Sequence, residues 1–388
     1  MLKKLISTTL LLLPVLVVAA ERAKVKLPAP YATPSASNSS KLIERPAGAK
    51  LTVPPGFTAE EWGSGFKKPR FMVQLATGTV LVSDSIPEGS VVAVTGGVKK
   101  ALITGIDRPS ALALWKDYLY VAEAQAIKRY KLDAAAVAVG PAEMVVPLKD
   151  YGKGHWTRSL AFDKKGERLY VGVGSGSNID LGDPEDRAAI NTYNPDGSGH
   201  QIFATGLRNP VTIRVNPTNQ QLWATVQERD GLGDGLVPDF FTSIGQGKFY
   251  GWPYAYIGAN EEPRHKGVKP EMVAKSVEPD VVLPAHAAVM DFIFYTGKQF
   301  PSKYRNGAFL VYRGSANRSD RLGYSINFLP FKGGKPVGDP VEFLGGFMLS
   351  EKQRDVWARP VGILQMNDGS LLLSEDGNNK IYRISYSK

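Results

Sequence analysis

The chain has 388 residues, 43% hydrophobic and 22% charged, and no cysteine, which excludes disulfides, thiolate metal sites, a cysteine nucleophile and a lipid-modified amino-terminal cysteine. Its formal net charge is +10, of which Lys3 and Lys4 supply two, and such a balance favours an anionic partner. The Lys and Arg residues are scattered singly, with no long basic run and no recognisable motif, so nucleic acid is not expected as a partner.

Residues 1–20 read as a secretory signal peptide: Lys3 and Lys4, an apolar run from Leu5 to Val18, then Ala19 and Ala20. The run is shorter than the ~20 apolar residues a membrane span needs, and no later segment is longer. The expected product is secreted or periplasmic, begins near Glu21, and is soluble with no transmembrane segment once the leader is removed. Residues 21–48, rich in Ala, Pro, Ser and Lys, have no hydrophobic period and are expected to be a flexible lead-in. From residue 49 to 388, short β-branched and aromatic runs alternate with Gly, Pro, Asn and Asp turns, which predicts an all-β domain.

One unit recurs in that domain: a basic residue, a short apolar strand, a turn, and a second apolar strand. Copies begin at Arg70, Arg108, Arg158, Arg208, His286 and Arg359, spaced by 38, 50, 50, 78 and 73 positions. Repeats of this size made only of strands predict a six-bladed β-propeller with four-stranded antiparallel blades. The segment Gly56–Trp62 and the closing run Lys380–Ile384 are expected to share a blade and seal the ring, removing open sheet edges.

The residue before each inner strand should face one end of the central channel. Five of these six residues are arginines, Arg70, Arg108, Arg158, Arg208 and Arg359, and five converging like charges call for a polyanion, above all a polycarboxylate. Any one of them is equally well read as pairing with a blade carboxylate. His155, in Lys153-Gly154-His155-Trp156-Thr157-Arg158 on the same rim, is a candidate general base, and His286 is a second. His200 and His265 fall in turn-rich stretches and are expected to be solvated. The loop Glu228-Arg229-Asp230-Gly231-Leu232-Gly233-Asp234-Gly235 mixes carboxylates with glycines, as either a calcium loop or a polar turn does.

These residues, with Arg187-Ala188-Ala189-Ile190, Asn194-Pro195-Asp196-Gly197-Ser198-Gly199, Gly206-Leu207-Arg208-Asn209-Pro210, Leu236-Val237-Pro238-Asp239, Phe249-Tyr250-Gly251-Trp252-Pro253-Tyr254, Gly314-Ser315-Ala316-Asn317-Arg318 and Arg359-Pro360-Val361-Gly362, carry a resemblance. Over roughly residues 50 to 388 the chain resembles the soluble quinoprotein glucose/sorbosone dehydrogenases, six-bladed propellers that use pyrroloquinoline quinone (PQQ) and Ca2+. The resemblance implies His155 as the base for a sugar hydroxyl. It implies Arg208 and Asn209 on the quinone oxygens and carboxylates, with Arg208 also taking part in catalysis, and Arg318 and Arg359 on further carboxylates. Arg158 and Arg108 complete the expected cofactor-binding set. The main-chain carbonyls of Asp230 and Gly231 are implied as calcium ligands, a small-molecule sugar as substrate, and a cytochrome or quinone as electron acceptor. Two positions depart from the pattern: Tyr312-Arg313 stands where similar proteins carry an acidic residue and a histidine, and Ala316 stands where a tryptophan is expected.

Two other readings stay open on the residues alone. One is a calcium-dependent lactonase-like hydrolase, although such sites centre on carboxylates and this rim is rich in arginine. The other is a non-catalytic propeller that binds an anionic ligand or partner.

Overall fold

The computed structural model describes residues 25–133, 139–148 and 153–387. The expected signal peptide at residues 1–20 lies outside the described residues, and among those described no helix is long and apolar enough to cross a membrane.

Six four-stranded antiparallel sheets form the blades. Blade 1 comprises Pro69–Gln74, Val80–Asp84, Gly89–Thr95 and Val98–Ile106, and blade 2 comprises Leu112–Trp115, Tyr118–Glu123, Ala126–Leu132 and Val139–Pro147. Arg158–Phe162, Leu169–Val173, Ala189–Tyr193 and Gln201–Thr205 make blade 3, followed in blade 4 by Asn209–Val215, Leu222–Gln227, Pro238–Ser243 and Val281–Ala285. Blade 5 is built from Val289–Phe294, Ala308–Tyr312, Ser325–Leu329 and Val341–Leu344. In blade 6, Pro360–Gln365, Leu371–Glu375 and Lys380–Tyr386 are completed by Phe57–Gly63 from the other end of the chain. That closure is the expected one, with register running from Phe57↔Tyr386 to Gly63↔Ile381.

Each blade is covered on both faces by its neighbours, so its second strand is buried over all of its length, as in Val80–Asp84, Ala308–Tyr312 and Leu371–Glu375, or over all but one residue, as in Tyr118–Glu123, Leu169–Val173 and Leu222–Gln227. This is why the second strands read as unbroken apolar runs rather than alternating ones. The long fourth interval of the repeat is an insertion in blade 4, where a short hairpin (Ala255–Tyr256 with Asn260–Glu261) and a helix (Pro270–Lys275) separate the third and fourth strands.

The first strand of every blade lines the channel, and a polar side chain ties each one to the next. Ser85 donates to the Pro109 carbonyl, Ser110 to that of Arg158, Ser159 to that of Pro210, Thr212 to that of Met290 and Ser374 to that of Arg70, while Asp291 accepts the Ile363 N–H. These girdle bonds sit at the inner-strand entrances, so they hold the rim where the repeated basic residues stand.

Residues 25–48 of the lead-in run against that rim. Tyr31 N donates to Leu232 O, Thr33 Oγ1 accepts from Asp234 N, and Asn38 Nδ2 donates to Ser319 O. Lys41–Leu42 pairs in parallel with Asp355–Val356. The segment is anchored by main-chain and side-chain hydrogen bonds and by isolated apolar contacts of Leu27 and Ile43 rather than by an apolar stripe, so no hydrophobic period marks it.

Candidate functional site

The residues that open the inner strands collect on one rim, and carboxylates at the ends of the second strands hold the main chain there. Asp84 accepts the Lys67 N–H, Glu123 that of Asp107 and Glu375 that of Arg359. The acid ending the second strand of the repeat therefore clamps the loop that carries the basic residue.

The expected ring of five arginines divides into one buried strut, two groups and, in Arg108, a separate ion pair. Arg158 is the strut: it is fully buried, and its Nη1 donates to the carbonyls of His155 and Thr157. Arg208, at the mouth of blade 4, is buried and donates to the Asn178 carbonyl (3.0 Å), the Asn178 side-chain oxygen (2.9 Å) and the Glu228 carbonyl (2.7 Å). Among the described residues it forms no ion pair with a carboxylate. Arg70 belongs to the second group with Arg313 and Arg359, all directed at Asp376 at 2.6, 3.0 and 3.6 Å. Arg108 pairs with Asp107 and lies 5.7 Å from the Trp156 ring, which Arg70 also covers at 4.8 Å.

His155 lies beside the Arg208 group. Its Nδ1 is 3.0 Å from Ser175 O, and Ser175 N in turn donates to Arg208 O. Burial first, and then the nearby Arg208 guanidinium, push its pKa down to about 3. The ring is therefore neutral at ordinary pH. A neutral ring that donates from Nδ1 to a carbonyl leaves its lone pair on Nε2.

The second histidine candidate has both nitrogens engaged: His286 Nδ1 meets Asp230 Oδ1 at 2.9 Å and Nε2 meets Gly233 O at 3.0 Å. It secures the 230–233 loop rather than offering a lone pair. Of the two histidines expected to be solvated, His200 is exposed and stacks on Tyr193, whereas His265 is buried with Nε2 at 2.6 Å from Ile179 O, a correction to the turn-based reading. It lies in the blade 4 insertion and is held against Ile179, a contact 86 residues distant that local composition does not report.

Asn178 carries no motif of its own and joins the parts. Its side-chain oxygen accepts from Arg208 and from Asp230 N (3.0 Å), while its amide donates to Asp230 O (3.0 Å). The carbonyl loop and the arginine are thus fixed to each other. Asp376 was equally hidden, although it directly follows the acid that ends a repeat unit. Asn209 donates to Gln227, but its Oδ1 is buried without a hydrogen-bond partner, as are Nε of Arg318 and Nε of Arg359. A Cβ built on Gly231 would meet nothing within 4 Å, so open space adjoins the Asp230–Gly231 carbonyls. Among the described residues no three His, Asp or Glu side chains are grouped to hold a metal ion, so a cation here would depend on main-chain oxygens.

The departures have structural consequences. Arg313 is part of the Asp376 cluster, buried Tyr312 has its hydroxyl pKa raised by burial, and Ala316 presents its carbonyl to Asn38 N.

A family profile described as TrAA12-like matches residues 51–235 and 259–387. In sequence the chain is similar to the aldose sugar dehydrogenase of Escherichia coli (strain K12), with 26% identity over 252 residues that cover 60% of each chain. In structure it is similar to the calcium structure of the Trichoderma reesei carbohydrate-active enzyme family AA12, with TM-score 0.76 and 21% identity over 90% of this chain and 99% of that one. It is also similar to the holo form of the pyranose dehydrogenase PQQ domain from Coprinopsis cinerea, with TM-score 0.75 and 19% identity over 89% and 99% of the two chains. At these identities the structural likenesses speak for the fold.

Proposed function

Because the chain belongs to the TrAA12-like family, we propose that it is an exported quinoprotein dehydrogenase oxidising a sugar (aldose- or sorbosone-like) or a related polyol or aldehyde with PQQ and Ca2+. The observation that carries this reading is His155, a neutral imidazole with Nδ1 held by Ser175 and Nε2 left for a substrate, next to an arginine that no carboxylate among the described residues neutralises by contact.

The residues present suit the two groups. Arg208, Arg318 and Arg359 with Asn209 would hold the quinone, and Arg318 Nε, buried without a hydrogen bond, suits one of its carboxylates. The Asp230 and Gly231 carbonyls, beside open space, would hold calcium. When bound, the quinone supplies a two-electron hydride acceptor and calcium a Lewis acid. Oxidising a sugar hydroxyl also releases a proton, and His155 takes it at Nε2. Ser175 fixes the tautomer and ring angle for that transfer, and Arg208 is kept in place by Asn178 and the Glu228 carbonyl. The electrons then pass to an external acceptor, a cytochrome or a quinone.

The test is titration of the metal-stripped protein with PQQ and calcium, followed by absorbance as sugars and a dye acceptor are added. Calcium-dependent quinone binding that bleaches with a sugar supports the reading. Absence of binding at micromolar quinone refutes it and leaves the rim as a site for another anion.

A further inference from the structure

The loop proposed to hold calcium has glycine at 231, 233 and 235, and the three positions face different surroundings. A Cβ on Gly231 would meet nothing within 4 Å, whereas one on Gly233 would lie 2.6 Å from Thr33 O and one on Gly235 would lie 2.8 Å from Pro28 Cγ. Gly233 and Gly235 therefore make room for the lead-in, which passes too close to the loop to admit a side chain. The two are bonded as well as pressed together. Tyr31 N donates to Leu232 O at 2.8 Å, Asp234 N donates to Thr33 Oγ1 at 2.7 Å, and Leu27 packs in the cluster that contains Leu232 and Leu236.

Further along the lead-in, Asn38 commits all four of its polar atoms to the loop that carries Arg318. Its N–H donates to Ala316 O (2.7 Å), and its side-chain amide donates to Ser319 O (2.7 Å) and Arg318 O (3.3 Å). Its main-chain and side-chain oxygens both accept from Arg321 Nη2, at 2.7 and 2.6 Å. The two loops also meet each other: Arg318 Nη1 donates to Asp234 O and Ser319 N to Asp234 Oδ1, both at 2.8 Å. One loop from blade 4, one from blade 5 and the lead-in thus form a single hydrogen-bonded unit.

Neither loop contains a helix or strand between Glu228 and Val237 or between Arg313 and Tyr324. The placement of the Asp230 and Gly231 carbonyls relative to the Arg318 guanidinium depends instead on the bonds just described. Groups that orient metal ligands from behind govern affinity without touching the ion, and loops ordered in advance spare ligand binding the entropy of ordering them. Thr33 is exposed and Asn38 half-buried, so the blade cores do not rest on either side chain.

We propose that Thr33 and Asn38 are positioning residues of the cofactor site: the lead-in clamps the calcium loop to the Arg318 loop from outside and fixes their separation before the cofactors enter. The proposal rests on the PQQ and calcium reading and adds to that site two residues from outside the propeller.

The test uses Thr33→Val, which removes only the acceptor of the Asp234 N–H, and Asn38→Asp, which keeps an acceptor for Arg321 but turns an oxygen toward the Ser319 and Arg318 carbonyls. Calcium titration of the quinone-loaded protein should show affinity roughly 10-fold lower in each variant, the low end of what losing a ligand-orienting group costs. The urea midpoint of the cofactor-free protein should not move. Wild-type calcium affinity in both variants overturns the proposal. So does a loss of affinity that comes with a matching fall in the urea midpoint, because that assigns the lead-in a structural role alone. If the wild-type protein takes up neither quinone nor calcium, the cofactor reading fails by itself. Hydrogen exchange of the cofactor-free protein then decides the clamp, read in each variant on the loop that the substitution does not touch. Faster exchange of the Ser319 N–H in Thr33→Val and of the Asp234 N–H in Asn38→Asp, with blade 3 unchanged, supports it; wild-type rates at both overturn it.

Discussion

His286 Nδ1 lies 2.9 Å from Asp230 Oδ1 while its Nε2 lies 3.0 Å from Gly233 O, so one ring spans both ends of the loop proposed to bind calcium. Burial works against charging the ring, but the Asp230 carboxylate and the Gly233 carbonyl outweigh it and raise its pKa. Each ring nitrogen faces an oxygen of the loop, so the loop is held without a direct histidine ligand. His286→Ala should weaken calcium affinity by roughly 10- to 100-fold, the usual effect of losing a group that orients metal ligands. Calcium titration of the quinone-loaded variant measures this; an unchanged affinity would mean that the loop keeps its shape unaided.

His155→Ala should lower turnover by ~10²- to 10⁴-fold, the range for loss of a general base, while leaving quinone affinity intact. With its pKa at about 3, His155 stays neutral well below the ordinary histidine value of 6.5. The pH profile of kcat/KM should then lack an acid limb centred near 6.5. Its contribution to stability has a fixed sign. The unfolded ring binds a proton below about pH 6.5 and the folded ring does not, so folding loses stability as pH falls from there toward 3. A wild-type acid limb near 6.5 that vanishes in the variant would contradict the buried geometry.

Removing the carboxylate behind the arginines should be costly. Asp376→Ala strands Arg70 in the interior and is expected to destabilise the protein by about 3–5 kcal/mol, measured by urea denaturation. Although burial opposes its charge, the guanidiniums of Arg70, Arg313 and Arg359 hold the Asp376 carboxyl down to about 2. Its contribution is therefore present above the ordinary value of 3.8 and is lost as pH falls from there through 2. Asp376→Asn should flatten that acid limb; an unaltered limb would assign it to other carboxylates.

Ring closure can be tested at Phe57, whose ring packs against Phe300, Phe343 and Tyr304 with centroids 4.7, 4.9 and 5.4 Å away. Phe57→Ala should cost about 3–5 kcal/mol and loosen the strand that completes blade 6. Hydrogen exchange at Phe57–Gly63 should speed up more than in blade 3. Equal protection in both places would show that main-chain pairing with Lys380–Tyr386 suffices for closure.

The propeller was legible because its blades repeat. The recurring basic residue, apolar strand, turn and second strand marked all six units, and the terminal segments marked the closing blade, since each depends on local pattern. His155, Arg208 and Arg359 were legible as rim residues for the same reason. Asn178 was not, because nothing in its neighbourhood records that its one amide spans Arg208 and Asp230, 52 residues further along.

By itself, then, the sequence determined the strand repeat, the absence of disulfides and the rim on which the basic residues gather, because each follows from residue type and spacing. Only the tertiary structure decided what each basic residue does there. Arg158 is enclosed as a strut, Arg208 is held by carbonyls, and Arg70 joins Arg313 and Arg359 on Asp376. The charge of a guanidinium is set by the residue, but its availability depends on which carboxylates and carbonyls the other blades bring within about 3 Å, the reach of a hydrogen bond.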